Sequence, residues 1–304
     1  MRLLAFITLG LAALCSGLRI QSLKKACVAG LLGVGLCTMP ELAQAAPVGS
    51  VVVLGASGKT GAQVVKILAS QGVKVQPAYA RETADRFQGV ENVYPPIVAD
   101  VTKPESLASA LSGANAVVFA ASASGKGGNA EAVDFHGVEN TARASIDDGV
   151  KRLVIISSAA ITRPDSLGYK VTNLFGGIMG YKFKGEEAAR ALYLEPAGQK
   201  LSLVIIRPGG LLDGKALGPK EMELNQGDSI AGEVNRSDVA ECAAAAAIST
   251  SLPQRVTFEI SEAGRSGPLE GGFKTKSGYE QSGKDSYDEL FKGLKIDFNR
   301  LEKE

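Results

Sequence analysis

Val51-Val52-Val53-Leu54-Gly55-Ala56-Ser57-Gly58-Lys59-Thr60-Gly61-Ala62-Gln63-Val64-Val65 decides how this chain folds. A short β-branched run ends in a loop with glycine at 55, 58 and 61. An apolar-periodic stretch with Val64, Val65, Ile67 and Leu68 follows. That order reads as strand, tight turn and helix, the opening of a βαβ unit. Gly55 reaches backbone angles closed to other residues. Gly58 lets main chain approach a pyrophosphate, and Gly61 lets the helix pack on the strand. The unmatched amides and the dipole at the helix start favour an anion, so the turn reads as a dinucleotide site. Gly58-Lys59-Thr60 also ends like a P-loop, whose first glycine would fall at position 53. That residue is Val53, inside the strand, so a triphosphate cradle is set aside. Lys59 then reaches a cofactor phosphate or lies in solvent.

Working outward, hydrophobic strands alternate with helical patterns. The second strand is expected over residues 73–80, with Pro77 awkward in it. The third is Ile97-Val98-Ala99, the fourth residues 116–121, the fifth Leu153-Val154-Ile155-Ile156 and the sixth Leu203-Val204-Ile205-Ile206. Helices are expected over residues 104–112, 133–148 and 184–192. This alternation implies one doubly wound parallel sheet with helices on both faces, an α/β fold. The loop from Ser122 to Asn129, with Lys126, leaves a strand C-terminus, the edge where such sheets bind ligands. The residue about 20 positions beyond the glycines separates the two nicotinamide dinucleotides. Here the strand ends in Ala80-Arg81 with no acidic residue, which favours NADP(H) over NAD(H).

The chain has 304 residues and a net charge of +1, which carries no electrostatic footprint for nucleic acid. Tryptophan is absent, and the one histidine, His136, leaves no basis for a metal cluster. Cys242 sits in an apolar helix and reads as a packed small residue. The other cysteines, Cys15, Cys27 and Cys37, fall in residues 1–45, which read as a targeting presequence. Arg2 precedes one apolar run, and Arg19, Lys24 and Lys25 precede a second. Ala43-Gln44-Ala45 then offers a cleavage site. Each run is about a dozen residues, short of the ~20 that span a bilayer, so no stable membrane span is expected in the mature protein.

Taken together, the chain resembles the atypical short-chain dehydrogenase/reductases with an NAD(P)-binding, NmrA-like fold. The residues that carry the resemblance are the Gly55–Gly61 turn, Arg81, Asp100-Val101, Val133-Asp134-Phe135 with Asn140, and Ser157-Ser158. Ile206-Arg207-Pro208-Gly209-Gly210-Leu211 and Asn235-Arg236-Ser237-Asp238-Val239-Ala240 extend it. It implies a Rossmann-like domain over 46–262, with a C-terminal extension carrying a short helix over 263–304. It implies that Ser57, Gly58, Lys59 and Thr60 hold the pyrophosphate and Arg81 the 2′-phosphate. Asp100 and Val101 would contact adenine, and Ala120 and Ala121 the ribose. Ser157, Ser158 and Pro208 would border the nicotinamide. Active relatives use Tyr-x-x-x-Lys. Here Lys182 aligns with the lysine, which also holds the ribose, but Ile178 occupies the tyrosine position and Tyr181 stands beside the lysine. Ser158, Tyr181 and Lys182 are therefore the candidate catalytic groups of an oxidoreductase acting on a small carbonyl or enone. The alternative is a non-catalytic NADP-binding redox sensor or assembly factor in a plastid. A monomer or weak dimer is expected. The tandem signals resemble presequences for the thylakoid lumen of an alga; secretion or membrane anchoring is the alternative.

Overall fold

Valines 51 and 53 send their side chains to one face of a sheet, Val52 and Leu54 to the other, and all are buried. A strand covered on both faces has to be apolar throughout, which is why this run lacks the alternation of a half-exposed strand. The computed structural model describes residues 46–123, 128–174, 176–269 and 281–296. The expected presequence, Lys126 and the three N-terminal cysteines lie outside them.

The chain runs through β1 (Val51–Leu54), α1 (Lys59–Ser70), β2 (Val75–Tyr79), β3 (Ile97–Val98), α2 (Pro104–Leu111) and β4 (Ala116–Phe119). A π-helical turn (Glu131–His136) leads into α3 (Gly137–Asp147), then β5 (Arg152–Ile156), α4 (Leu167–Asn173), α5 (Ile178–Leu194) and β6 (Ser202–Pro208). The remainder comprises β7 (Gly210–Leu212), β8 (Met222–Asn225), β9 (Ile230–Asn235), α6 (Arg236–Ile248) and β10 (Arg255–Glu262). Last come β11 (Ser266–Pro268), β12 (Gln281–Ser282) and α7 (Tyr287–Phe291).

Strands β3-β2-β1-β4-β5-β6-β10 lie side by side and parallel, so the fold is the doubly wound α/β sheet. Two antiparallel strands, β8 and β12, extend the β10 edge, and β11-β9-β7 form a small second sheet. Helices α1 and α6, with α7, cover one face; α2, α3 and α5 cover the other. The alanines of α6 are small enough to bring that helix against α1, and Cys242 is fully buried among them. Burial pushes its thiol well up, away from thiolate chemistry. On α7, Leu290 and Phe291 are buried, and the Phe291 ring lies 5.8 Å from Phe258.

Pro77 is accommodated inside β2, where it pairs with Val53 of β1. Its missing N–H faces the other side, where Val75 bonds Asn92 but β3 begins to pair only from Ala78. The Gln76 side chain fills that gap by donating to the Pro95 carbonyl at 2.7 Å. Helix α5 starts six residues earlier and ends two residues later than the sequence pattern suggests, about two turns longer in all. Asn173 Oδ1 accepts from the amides of Met179 and Gly180, 3.2 and 3.4 Å away, and so caps a first turn the periodicity does not announce.

Candidate active site

The strand order reverses between β1 and β4, and the ends of those strands open onto the glycine turn. Gly55 has φ +76°, and a Cβ on it would sit 2.7 Å from the Ala121 nitrogen. Gly61 is closer still, since a Cβ there would stand 2.4 Å from the Gly55 carbonyl oxygen. Helix α1 therefore rests directly on the turn. It begins at Gly58, in extended backbone, with no side-chain cap and no acidic residue in its first turn. Its leading amides and dipole are thus left to an anion. A Gly55→Ala exchange is expected to cost about 1–3 kcal/mol through left-handed strain and the Ala121 contact. Urea unfolding checks the cost, and fluorescence titration should show NAD(P)H binding weakened by about tenfold or more.

Around this turn, Lys59 does not point freely into solvent. Its Nζ lies 2.6 Å from Asp213, which also pairs with Arg236 at 3.0 Å. The Lys59 hydrogen bond, with help from Arg236, holds the Asp213 carboxyl below the usual range. Arg81 is exposed just past β2. A second cation, Arg86, reaches back and donates to the Ser57 carbonyl at 2.5 Å. The sequence reading missed Arg86, because nothing in the local pattern indicates that it folds onto the turn. Asp100 Oδ1 accepts from the amide and hydroxyl of Thr102, so the loop after β3 holds that carboxylate. Val101 is buried, and its carbonyl accepts from Asn140 Nδ2 at 3.1 Å.

A cleft of about 520 Å³ lies over the strand ends. Thr60, Ala120, Ala121, Ser157, Ser158 and Pro208 all line it. Lys182 enters it from α5, with Met179 one turn earlier. Lys182 is the one charged side chain among the described residues lining the cleft. Its Nζ lies 2.8 Å from Asp134 Oδ1, with the lysine side chain 13% exposed and the aspartate fully buried. Asp134 also accepts from Ser122 Oγ at 2.7 Å and the Ala123 amide at 2.9 Å. Helix α5 comes close enough for this pair because of Gly185. A Cβ there would be 2.3 Å from the Asp134 carbonyl oxygen. Gly185 and Lys182, three residues apart, share that helix face.

Tyr181 is placed differently. It points away from Lys182 around the helix, its ring lies near Gly177, and Lys184 Nζ sits 5.5 Å from the ring centroid. It is not among the cleft-lining residues, so the structure brings Lys182, Ser157 and Ser158 together without it. Ile178, at the position of the expected tyrosine, carries no exchangeable proton.

Beneath the cleft is a buried charge network that the sequence reading also missed. Glu186, one turn beyond Lys182, receives Arg207 Nη2 at 2.6 Å, and Arg190 Nη2 stands 3.8 Å from it. Glu259 lies 3.5 Å from the same Arg207. Burial alone would raise the Glu186 carboxyl; the Arg207 charge and hydrogen bond, with Arg190 and Ser157, outweigh it and hold the group lowered. The far wall is set by Asp228, whose carboxylate accepts from the Ala160 amide at 2.6 Å and the Thr162 amide at 2.8 Å. That grip holds Ala160 at φ +64°, a left-handed conformation uncommon for alanine, and shapes the loop leaving Ser158.

Residues 55–250 match a family model described as NAD(P)H-binding. The chain is 28% identical over 222 residues to an uncharacterised chloroplastic protein of Arabidopsis thaliana, covering 70% of this chain and 75% of that one. It is 26% identical over 194 residues to Protein TIC 62, chloroplastic, of Pisum sativum, covering 57% of this chain and 35% of that one. Among solved structures it resembles the oxidoreductase ylbE of Lactococcus lactis, with TM-score 0.57 and 19% identity over 70% of this chain and 90% of that one. It also resembles ChuY, an anaerobillin reductase of Escherichia coli O157:H7, with TM-score 0.53 and 19% identity over 70% and 97%. At such identities the structural likeness is one of fold.

Proposed function

The chain belongs to the NAD(P)H-binding family, and from that premise we propose that it is an NADP(H)-dependent oxidoreductase of the atypical short-chain, NmrA-like kind, acting on a small carbonyl or enone. The observation that carries the reading is the cleft where the strand-end residues Ala120, Ala121, Ser157 and Ser158 meet the ammonium of Lys182. The residues fit the dinucleotide. Gly55 and Gly61 leave no space for a Cβ, and the first turn of α1 is free of carboxylate. Ser57, Gly58, Lys59 and Thr60 would hold the pyrophosphate, with Lys59 exchanging its exposed Asp213 partner for phosphate. Arg81 would hold the 2′-phosphate, Asp100 and Val101 the adenine, and Ser157 and Pro208 the nicotinamide side.

When bound, the cofactor supplies hydride chemistry. The chain supplies the rest. Ser158 donates a hydrogen bond to the substrate oxygen, and the Lys182 ammonium gives up the proton that the missing tyrosine would have provided. Asp134 positions Lys182 and ties it to the Ser122–Ala123 turn. Replacing Asp134 with asparagine removes the counter-charge but keeps an acceptor for those donors. It is expected to lower kcat by about tenfold or more through misplacement of the ammonium, with the NADPH dissociation constant nearly unchanged.

The experiment is titration with NADPH and NADH, followed by turnover against a panel of ketones and enones. NADPH is expected to bind about tenfold or more tighter than NADH, and Arg81→Ala to bring the two within about threefold, as expected for loss of one charged contact. Equal affinity in the unaltered protein would remove the NADP preference. Binding without turnover across the panel would favour the non-catalytic reading as a redox-sensing or assembly factor.

The chloroplastic relatives and the tandem signals of residues 1–45 support a plastid location, with the lumen of an algal thylakoid as the destination. Under this reading residues 46–262 are the cofactor domain and 263–304 its extension, in a monomer or weak dimer. Mass spectrometry of the mature N-terminus tests the cleavage after Ala45.

A further inference from the structure

Helix α4 has three faces with different surroundings. Asn173 and Tyr169 face α5: Asn173 caps its first turn, and the Tyr169 hydroxyl lies beside Gly180. Gly168 and Thr172 line the cleft. Leu167, Val171 and Leu174 follow at i, i+4 and i+7, and so form one stripe, about 100° around the helix from the cleft-facing pair. These three are 68%, 51% and 82% exposed. No residue of α4 is buried. Leu211 of β7 also lines the cleft while remaining 42% exposed. Exposed apolar side chains therefore stand both in the cleft lining, at Leu211, and on the helix whose neighbouring face lines the cleft. Inside, the one charge among the described lining residues is Lys182, already matched by Asp134.

We infer that the substrate carries an extended apolar chain, which leaves the cleft between Leu211 and α4 and lies along the Leu167–Val171–Leu174 stripe, with its carbonyl head at Lys182. This rests on the proposed oxidoreductase site and names its substrate class. Size favours a chain over a protein partner. A seven-residue helix is roughly 10 Å long, and three side chains fall far below the ~800 Å² per partner of a stable interface. A linear hydrocarbon matches the i, i+4, i+7 run of the three side chains along the helix. The only charge that the described lining residues offer a substrate is a lysine already paired with Asp134.

The test uses the purified protein with NADPH and a series of methyl ketones from butanone to dodecanone. A Leu167→Ser, Val171→Ser, Leu174→Ser triple variant is compared with the unaltered protein. The substituted side chains are exposed, so the fold should be retained, and a thermal melt checks this. KM is expected to fall about two- to fourfold per added methylene in the unaltered protein. In the variant it should level off beyond the shortest ketones, with kcat on butanone unchanged. An equal slope in both proteins, or no dependence on chain length in either, overturns the inference. Equilibrium binding of dodecanone against butanone to the NADPH-loaded protein gives the same reading without turnover. If turnover fails while long-chain binding remains stripe-dependent, the oxidoreductase reading falls and the apolar-chain site stands. Association with phosphatidylcholine vesicles, or a dimer that the triple variant dissolves, without any chain-length effect, assigns the stripe to a membrane or a second copy and overturns it.

Discussion

Exchanging Glu186 for alanine is expected to lower stability by about 3–5 kcal/mol, the usual consequence of breaking a buried ion pair from one side. Arg207 and Arg190 are both fully or almost fully buried, and both lose a carboxylate they share. Glu259 beside Arg207 and Glu187 beside Arg190 retain part of the compensation, which places the result toward the lower end. Urea denaturation measures it, and a loss under about 1 kcal/mol would show that the network contributes little. The pH dependence follows from the lowered Glu186 carboxyl. A group whose folded value lies below its unfolded one stabilises the fold above the unfolded value, about 4.3 for glutamate. That contribution disappears as pH falls through the lowered folded value. The gap between the unaltered protein and Glu186→Ala should therefore narrow below about pH 4. The exposed Lys59–Asp213 pair is the contrast, because exposed pairs add little. Asp213→Ala should leave the unfolding midpoint unmoved.

The Lys182→Ala exchange is expected to lower kcat by about 10²–10⁴, the range for loss of a positioned proton donor. On the proposed reading the glycine turn would carry the phosphates and Lys182 would reach only the ribose and nicotinamide end, so the NADPH dissociation constant should change by much less. The exchange leaves Asp134 buried with only Ser122 and Ala123 as donors, so a stability loss of about 1–3 kcal/mol accompanies it. Lys182→Arg, which keeps the charge but not the compact ammonium, separates the two effects. It should recover the stability and little of the turnover. Tyr181→Phe, away from the cleft, should leave kcat within about twofold; a fall of tenfold or more would return the phenol to the reaction.

The turn at Gly55–Gly61 was legible because its cause is local. Glycines that must touch one another's backbone, placed between a β-branched run and an apolar helix, admit few other conformations. The central strands were legible for a related reason, since burial on both faces demands continuous apolar residues. The longer α5 escaped notice because its first turn is capped by Asn173, a residue of the preceding helix. Strands β8 and β12 are defined by antiparallel partners across the sheet edge, which no window of sequence contains.

In the site, the sequence by itself determined the glycine turn and singled out the strand-end serines and Lys182 as candidates. Tertiary packing decided which groups work together. Asp134 reaches Lys182 only because Gly185 lets α5 rest against the π-helical turn, and Glu186 meets Arg207 only when β6 and α5 are packed. It also turned Tyr181 away from the cleft, although that tyrosine adjoins the lysine in sequence, since neighbours on a helix point about 100° apart. Backbone conformation is set by residues next to one another in the chain. Ion pairing at about 3 Å between distant elements is set by how closely those elements pack.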